Sequence, residues 1–420
     1  MKWFILFVLL AMGIENHARS EPTWTLFTQI PYFTAKNLNC EDQTLKVLLP
    51  IFQSKGLPDA EIQRIFAVEN SRLQSRDVLH PLVTGNDILI GTNLRWRGVS
   101  NECRNHLLHC KGSRTDSCEE IATFPNDQVL TPIFLNGNTI IANRTTYPSD
   151  VLNAGSEDYL ASSDLGKNWK KIETPIPCGA PKSGYTCTLI PRTAHIYTLL
   201  SSRLNQQGSE FQNLTIHSTD NGGKSWRVLT PPWSEIKHHY YVSAQDGSLL
   251  ALSEADTDYF SISVRNVDTG SIDSIRTRIP SAEWTSGYSR VLAYHNKYLV
   301  QAEGKWTEST PQDSGIFFVD KLLPEGSAKP VWTSLRMGVK DVKISDGLVV
   351  VRTWNPKSMS RNKINFNESI HYTTDEGVHW HAFDVPEDLL DSTMELSKNR
   401  IWMFSPFRIH YSDLPMPKSE

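Results

Sequence analysis

The chain has 420 residues, a formal net charge of −4 and 10% aromatic residues. That balance leaves no electrostatic footprint for nucleic acid or for an anionic membrane surface. Twelve Trp and 13 Tyr suit a chain of many short strands.

The first twenty residues read as a signal peptide. Lys2 is the basic start, Trp3 to Gly13 is an apolar run, and Ala18-Arg19-Ser20 places small residues where a signal peptidase reads. The run is too short to span a bilayer, and no later stretch is long or apolar enough. No cysteine stands near the cleavage site, which argues against a lipid anchor. The expected product is a soluble exported protein, periplasmic or secreted, with residues 21–420 as a single domain and no membrane insertion. About 400 residues suffice for one large β domain.

Glu21 to Pro31 opens the mature chain with Trp24, an alternating run through Ile30 and a closing proline. Residues 33–76 break the strand pattern. There Pro58, Asp59 and Glu61 precede apolar Ile62, Ile65 and Phe66, which predicts a short helix inside an insertion. Insertions on repeat folds often carry binding, although a cap that fills a groove is an equal reading.

Six cysteines follow the leader: Cys40, Cys103, Cys110, Cys118, Cys178 and Cys187. An even count in an exported chain predicts disulfides. Cys110 with Cys118 and Cys178 with Cys187 are close enough to staple one loop each, which leaves Cys40 with Cys103. No Cys-x-x-Cys pair occurs, so a zinc site is disfavoured. Neither a metal nor a cofactor is expected.

From His106 onward the chain is periodic. His106 to Cys110 and Cys118 to Phe124 predict a hairpin. Then comes Ser162-Ser163-Asp164-Leu165-Gly166-Lys167-Asn168-Trp169, which recurs as Ser218-Thr219-Asp220-Asn221-Gly222-Gly223-Lys224-Ser225-Trp226 and as Thr373-Thr374-Asp375-Glu376-Gly377-Val378-His379-Trp380. The pattern is Ser or Thr, any residue, Asp, any residue, Gly, then Trp, with strand-like runs on both sides. Ser and Asp side chains can bond backbone amides just ahead and close a turn. Gly takes the positive φ the turn needs, and Trp folds onto the hairpin. The residues assigned to these turns are Ser162, Asp164, Gly166 and Trp169; Ser218, Asp220, Gly222 and Trp226; and Thr373, Asp375, Gly377 and Trp380.

Two degenerate copies fit the long gap. Tyr259 to Val267 leads to Asp268, with Ile272 to Ile279 beyond it, and Gly315 to Val319 leads to Asp320, with Val331 to Leu335 beyond it. The repeat is then roughly fifty residues, the length of a four-stranded propeller blade. At the far end, Arg408 to Asp413 reads as a strand with no partner after it. Trp24 to Ile30 has the form of that missing partner, so the two ends should share one sheet and close the ring.

These repeats resemble the Asp-box (BNR) repeat of sialidases and other β-propellers. The resemblance implies an all-β propeller of about seven four-stranded blades, or six if the first, boxless unit is not a true blade. It also implies that the box residues are structural and sit on a rim away from any active site.

Sialidases hold a carboxylate with three arginines, one of them in an Arg-Ile-Pro motif near the N-terminus, and use a Tyr–Glu pair and an Asp. Here that place reads Gln29-Ile30-Pro31, and a neutral amide cannot give the bidentate pairing of a guanidinium. Arg278-Ile279-Pro280 sits mid-chain as strand-end punctuation. Arg192 and Arg290, with Tyr288, are the remaining candidates. They are expected to be dispersed rather than assembled. His-Glu-x-x-His, Gly-x-Ser-x-Gly and phosphate loops are absent. Asn143, Asn213 and Asn367 each start a glycosylation sequon. The expectation is therefore an exported, non-catalytic propeller that binds a protein or glycan, such as a periplasmic immunity or inhibitor protein. The alternative is a divergent exo-sialidase.

Overall fold

A computed structural model describes residues 22–29, 78–93, 104–111, 118–125, 127–147, 156–179, 184–204, 211–229, 238–242, 248–256, 259–266, 272–277, 290–295, 297–303, 314–320, 329–334, 338–360, 363–390, 392–405 and 408–415. The leader, the 33–76 insertion with its expected helix, Cys40, Cys103, Asp268 and Tyr288 lie outside the described residues.

The strands follow the fifty-residue period. β1 spans Thr25–Gln29. Blade I is β2 (Val78–Thr84), β3 (Asp87–Asn93), β4 (Arg104–Lys111) and β5 (Cys118–Pro125). Blade II is β6 (Gln128–Asn136), β7 (Thr139–Thr146), β8 (Ser156–Ser162) and β9 (Lys170–Ile172). Blade III is β10 (Tyr185–Pro191), β11 (Tyr197–Leu204), β12 (Phe211–Thr219) and β13 (Arg227–Leu229). Blade IV is β14 (His238–Val242), β15 (Ser248–Asp256), β16 (Tyr259–Asn266) and β17 (Ile272–Thr277). Blade V is β18 (Arg290–Tyr294), β19 (Lys297–Glu303), β20 (Ser314–Asp320) and β21 (Lys329–Ser334). Blade VI is β22 (Gly338–Ser345), β23 (Leu348–Ser360), β24 (Lys363–Thr373) and β25 (His381–Asp384). Blade VII is β26 (Thr393–Ser397), β27 (Arg400–Phe404), β28 (Arg408–Asp413) and, outermost, β1.

These are seven four-stranded antiparallel sheets arranged as a β-propeller, and the boxless first unit is a full blade. First strands stand side by side around the ring: β2 beside β6 and β26, β14 beside β18, β22 beside β26.

The ring closes as the sequence predicts. Thr25 pairs with Tyr411, Leu26 with His410 and Gln29 with Arg408. Phe27 is buried in the core between blades VII and I with Ile88, Cys110, Trp402 and Ile409, its ring edge-on to Trp402 at 5.2 Å. Burying a Phe on the closing strand supplies the apolar contact that ties the two ends together.

The core is a set of seams between blades rather than one central mass. Leu89, Leu107, Leu130 and Ile140 fill the I/II seam. Ile141, Tyr159, Leu189 and Leu199 fill II/III. Leu299, Ile316, Val342 and Val351 fill V/VI, and Val350, Ile370, Met394 and Ile401 fill VI/VII. Two of the three expected disulfides are present: Cys110–Cys118, joining register partners of β4 and β5, and Cys178–Cys187, tying the connection after β9 to β10.

Candidate functional site

The two ends of the propeller differ in kind. One carries the turns between first and second strands and between third and fourth strands. Its turns are laced together: Leu165 N–H donates to Asn138 O, Gly222 N–H to His195 O, Ser397 Oγ to Gly85 O, and Tyr294 Oη to Gly347 O. The other end carries the connections between second and third strands and from each blade to the next. β1 ends and β2 begins at this end, the loop face.

The three repeat turns lie on the first end. In blade II, Ser162 Oγ accepts the amide of Gly166 at 2.8 Å and donates to Asp164 Oδ1, which also accepts the amide of Asn168 at 2.9 Å. In blade VI, Thr373, Asp375, Gly377 and His379 repeat the arrangement. Hydrogen bonds from the Asn168 side chain and amide hold Asp164 down at about 2. At Asp375 burial opposes the shift, yet bonds from the His379 amide and ring and from Thr373 hold it at about 2. Both carboxylates are committed to the turn.

Blade III departs from the expected assignment by one residue. Thr219, not Ser218, accepts the amide of Gly223, and Asn221, not Asp220, accepts the amide of Ser225 at 3.0 Å. Gly222 is not the turn glycine but occupies the place of Leu165 and Glu376, all three with positive φ. Ser218 is buried on β12 and Asp220 is exposed. The signal was in the spacing to Trp. Thr219 stands as far before Trp226 as Ser162 before Trp169 and Thr373 before Trp380, whereas Ser218 is one residue too far.

The Trp side chains also differ from the expectation that each covers its own hairpin. Trp169 packs edge-on to Phe124 of blade I. Trp226 donates its Nε1–H to Glu173 O of blade II, and Trp380 packs into the V/VI seam. Each tryptophan therefore ties its blade to the preceding one.

Of the candidate catalytic residues, Tyr288 lies outside the described residues, and the backbones of Arg192 and Arg290 stand at opposite ends of the propeller. Arg192 follows β10 in the turn to β11, where its amide donates to Ile196 O, on the turn-bearing end. Arg290 begins β18, at the loop end of blade V. Gln29 is on β1, three strands out from the first strand of its blade. A tyrosine beside a glutamate does occur, at Tyr159 and Glu157 on β8. Burial, then the charge of Glu157, pushes the Tyr159 phenol up, although it accepts the Leu189 amide, and burial also raises Glu157. A nucleophilic phenol needs the opposite shift.

Among the described residues, the loop end of the VI/VII seam holds the densest buried charge. Arg352 is 1% exposed and Glu368 4%. Arg352 Nε donates to Glu368 at 2.5 Å, Nη1 to Ser392 O at 2.6 Å, and Nη2 to Leu390 O at 2.7 Å and Leu389 O at 3.1 Å. Lys340 Nζ reaches Glu368 at 2.5 Å and Leu390 O at 2.7 Å. Sequence reasoning passed over this cluster, since nothing local marks residues from three strands as partners. With its donors bonded, Arg352 clamps the connection between blades VI and VII rather than offering a free guanidinium. Nearby, Lys343 of β22 bridges Glu395 of β26 at 2.9 Å and Asp341 at 3.5 Å.

A cavity of about 460 Å³ opens at the turn-bearing rim of the I/II seam, lined by Glu119, Glu120, Asn138, Asp164 and Lys167. Glu120 is bonded to His106 and Thr123, and Asp164 to its own turn. Among the described residues no group of three His, Cys, Asp or Glu could hold a metal ion. No described helix is long and apolar enough to cross a membrane. Asn143, first of the sequons, lies within β7 with its side-chain oxygen buried.

No family model matches this chain, and no curated protein matches it. Solved structures do. A prolyl endopeptidase is similar with a TM-score of 0.51 at 11% identity, over 83% of this chain and 52% of that one. A puromycin-hydrolyzing peptidase of Mycobacterium tuberculosis has a TM-score of 0.47 at 10% identity, over 79% and 50%. An ulvan lyase of polysaccharide lyase family PL25 has 0.47 at 10%, over 80% and 91%. The chain spans about half the length of the two peptidases. At such identity the likeness to the first of them establishes the propeller fold alone.

Proposed function

We propose that this chain is an exported β-propeller of the Asp-box kind that binds a protein or glycan partner at its loop face and performs no catalysis. The observation that carries this reading is the placement of Arg192 and Arg290 at opposite ends of the propeller, which speaks against their joining in one carboxylate clamp. The Tyr159–Glu157 pair supports it, because its phenol is shifted away from nucleophilicity. The committed carboxylates of the repeat turns support a structural role for that rim. Two disulfides are consistent with an oxidising compartment.

The test is turnover. Purified protein is expected to leave a fluorogenic sialoside intact, and free sialic acid should not shift its melting. Release of sialic acid that is abolished by Arg290→Ala would overturn the reading in favour of the exo-sialidase.

A further inference from the structure

At the turn-bearing end of the I/II seam, two acceptors face each other without a donor between them. Leu89 pairs with His109, and His109 with Glu119, so the three share one face of blade I. Asp87, two residues before Leu89, lies on the same face. Leu89 puts that face into the seam with blade II. His109 is 4% exposed, and its Nε2 lies 2.8 Å from Asp87 Oδ1. An ionised carboxylate only accepts, so Nε2 carries the hydrogen and the neutral ring leaves Nδ1 as a lone pair. That nitrogen is buried with no hydrogen-bond partner. Facing it at 3.8 Å is Glu119 Oε1, another acceptor, whose exposed carboxylate borders the rim cavity.

A buried acceptor without a donor is an exception in a folded protein and calls for an occupant. Two atoms 3.8 Å apart can both accept from one nitrogen about 2.9 Å from each. The cavity beside them has a volume of about 460 Å³, far more than the roughly 30 Å³ a water takes in the liquid. Its lining sets Glu119, Glu120 and Asp164 against the ammonium of Lys167, so it favours a cation. Ile121 and Leu165 add apolar wall for an alkyl stem. The walls are held in place by the chain itself. Leu165 N–H donates to Asn138 O at 2.8 Å, and Gly166 comes so close that a Cβ there would lie 3.3 Å from Ile121 Cδ1. Among the described residues no group of three His, Cys, Asp or Glu could hold a metal ion, which points to an organic cation instead.

We infer that this rim cavity binds an alkylguanidinium or alkylammonium, whose N–H groups bridge His109 Nδ1 and Glu119 while its stem lies along Ile121 and Leu165. Two sources carry that chemistry, a free small cation and a Lys or Arg side chain of a polypeptide. The site lies at the opposite end from the loop face and stands apart from the binding reading above.

The test is calorimetric titration of the full mature protein with butylguanidinium, with its neutral isostere butylurea and with the capped tripeptide acetyl-Gly-Arg-Gly-amide. Butylguanidinium is expected to bind at least tenfold more tightly than butylurea, and less tightly at high salt. Glu119→Gln should lose at least fivefold, and Lys167→Gln should gain about threefold by removing a like charge. Glu387→Gln, at the loop end, should change nothing. All three replace exposed side chains, so melting should stay the same. Nitrogen-15 spectra of His109 should show hydrogen on Nε2 and a bare Nδ1 that shifts as butylguanidinium is added. Failure of both cations to bind, equal binding of butylurea, or unchanged affinity in Glu119→Gln overturns the inference. So does hydrogen on Nδ1 in the free protein, since His109 would then serve Glu119 itself. Where the inference holds, tripeptide binding at least as tight as that of butylguanidinium assigns a polypeptide side chain, and weaker tripeptide binding assigns a free small cation.

Discussion

Replacing Arg352 by methionine tests what holds the last two blades together. The guanidinium has one anion and three carbonyl oxygens as partners, and it is 1% exposed. Removing one member of a buried ion pair costs about 3–5 kcal/mol. Two features place this case at the low end. Lys340 still neutralises Glu368 and still bonds Leu390 O, and the Ser392 hydroxyl still donates to Leu389 O at 2.6 Å. Ser392 O is left as the one acceptor stripped of the partner described here. The expected loss is about 3 kcal/mol, or about 4 °C in a chain of this size. Urea unfolding followed by tryptophan fluorescence measures it. Adding Glu368→Gln should cost less than the sum of the two single changes by about 2 kcal/mol, since the two residues share one interaction. A single-variant loss under about 1 kcal/mol would refute the reasoning, because such a clamp would have to be solvated or redundant.

Three further outcomes follow from the geometry. Thr219→Ala should cost about 1 kcal/mol through loss of a turn-closing bond, whereas Asp220→Ala should be near neutral; the reverse order in urea melts would restore the rejected register. Phe27→Ala should cost about 3–5 kcal/mol and strip hydrogen-exchange protection from β1 before other strands, because it empties the closing seam. Burial lowers His217, His371 and His410 below 6.5, with Asp384 opposing at His371 and Asp388 opposing at His410 while Arg408 assists. Above that value folded and unfolded chains are both neutral at these sites. Below it the unfolded chain takes up protons the folded one refuses, so stability should fall as pH drops from about 6.5 toward the lower folded values. Urea midpoints from pH 7.5 to 5.5 should show the decline, and His217→Leu should make it shallower.

What the amino-acid sequence determined by itself was whatever local spacing encodes. The alternating runs specify strands, and Ser162, Asp164 and Gly166 close a turn using only atoms within a few residues of one another. Ring closure was equally legible: Trp24 to Ile30 has the form of a fourth strand and Arg408 to Asp413 lacks one, and unpaired strands must find partners. The near-miss at Ser218 and Thr219 marks the edge of that legibility. Two adjacent hydroxyls fit the same local pattern, and only the register of β12 on β11 selects which one faces the turn. Contacts between blades were decided by tertiary structure alone. Nothing near Trp169 in the chain says that it packs on Phe124, and nothing near Arg352 names Glu368 and the carbonyls after Leu389. Arg192 and Arg290 were both candidates from sequence, yet one follows the first strand of its blade and the other begins the first strand of its own, which puts them at opposite ends of the ring. Such partners are brought together by the closure of seven sheets, a long-range condition that no short window of residues contains.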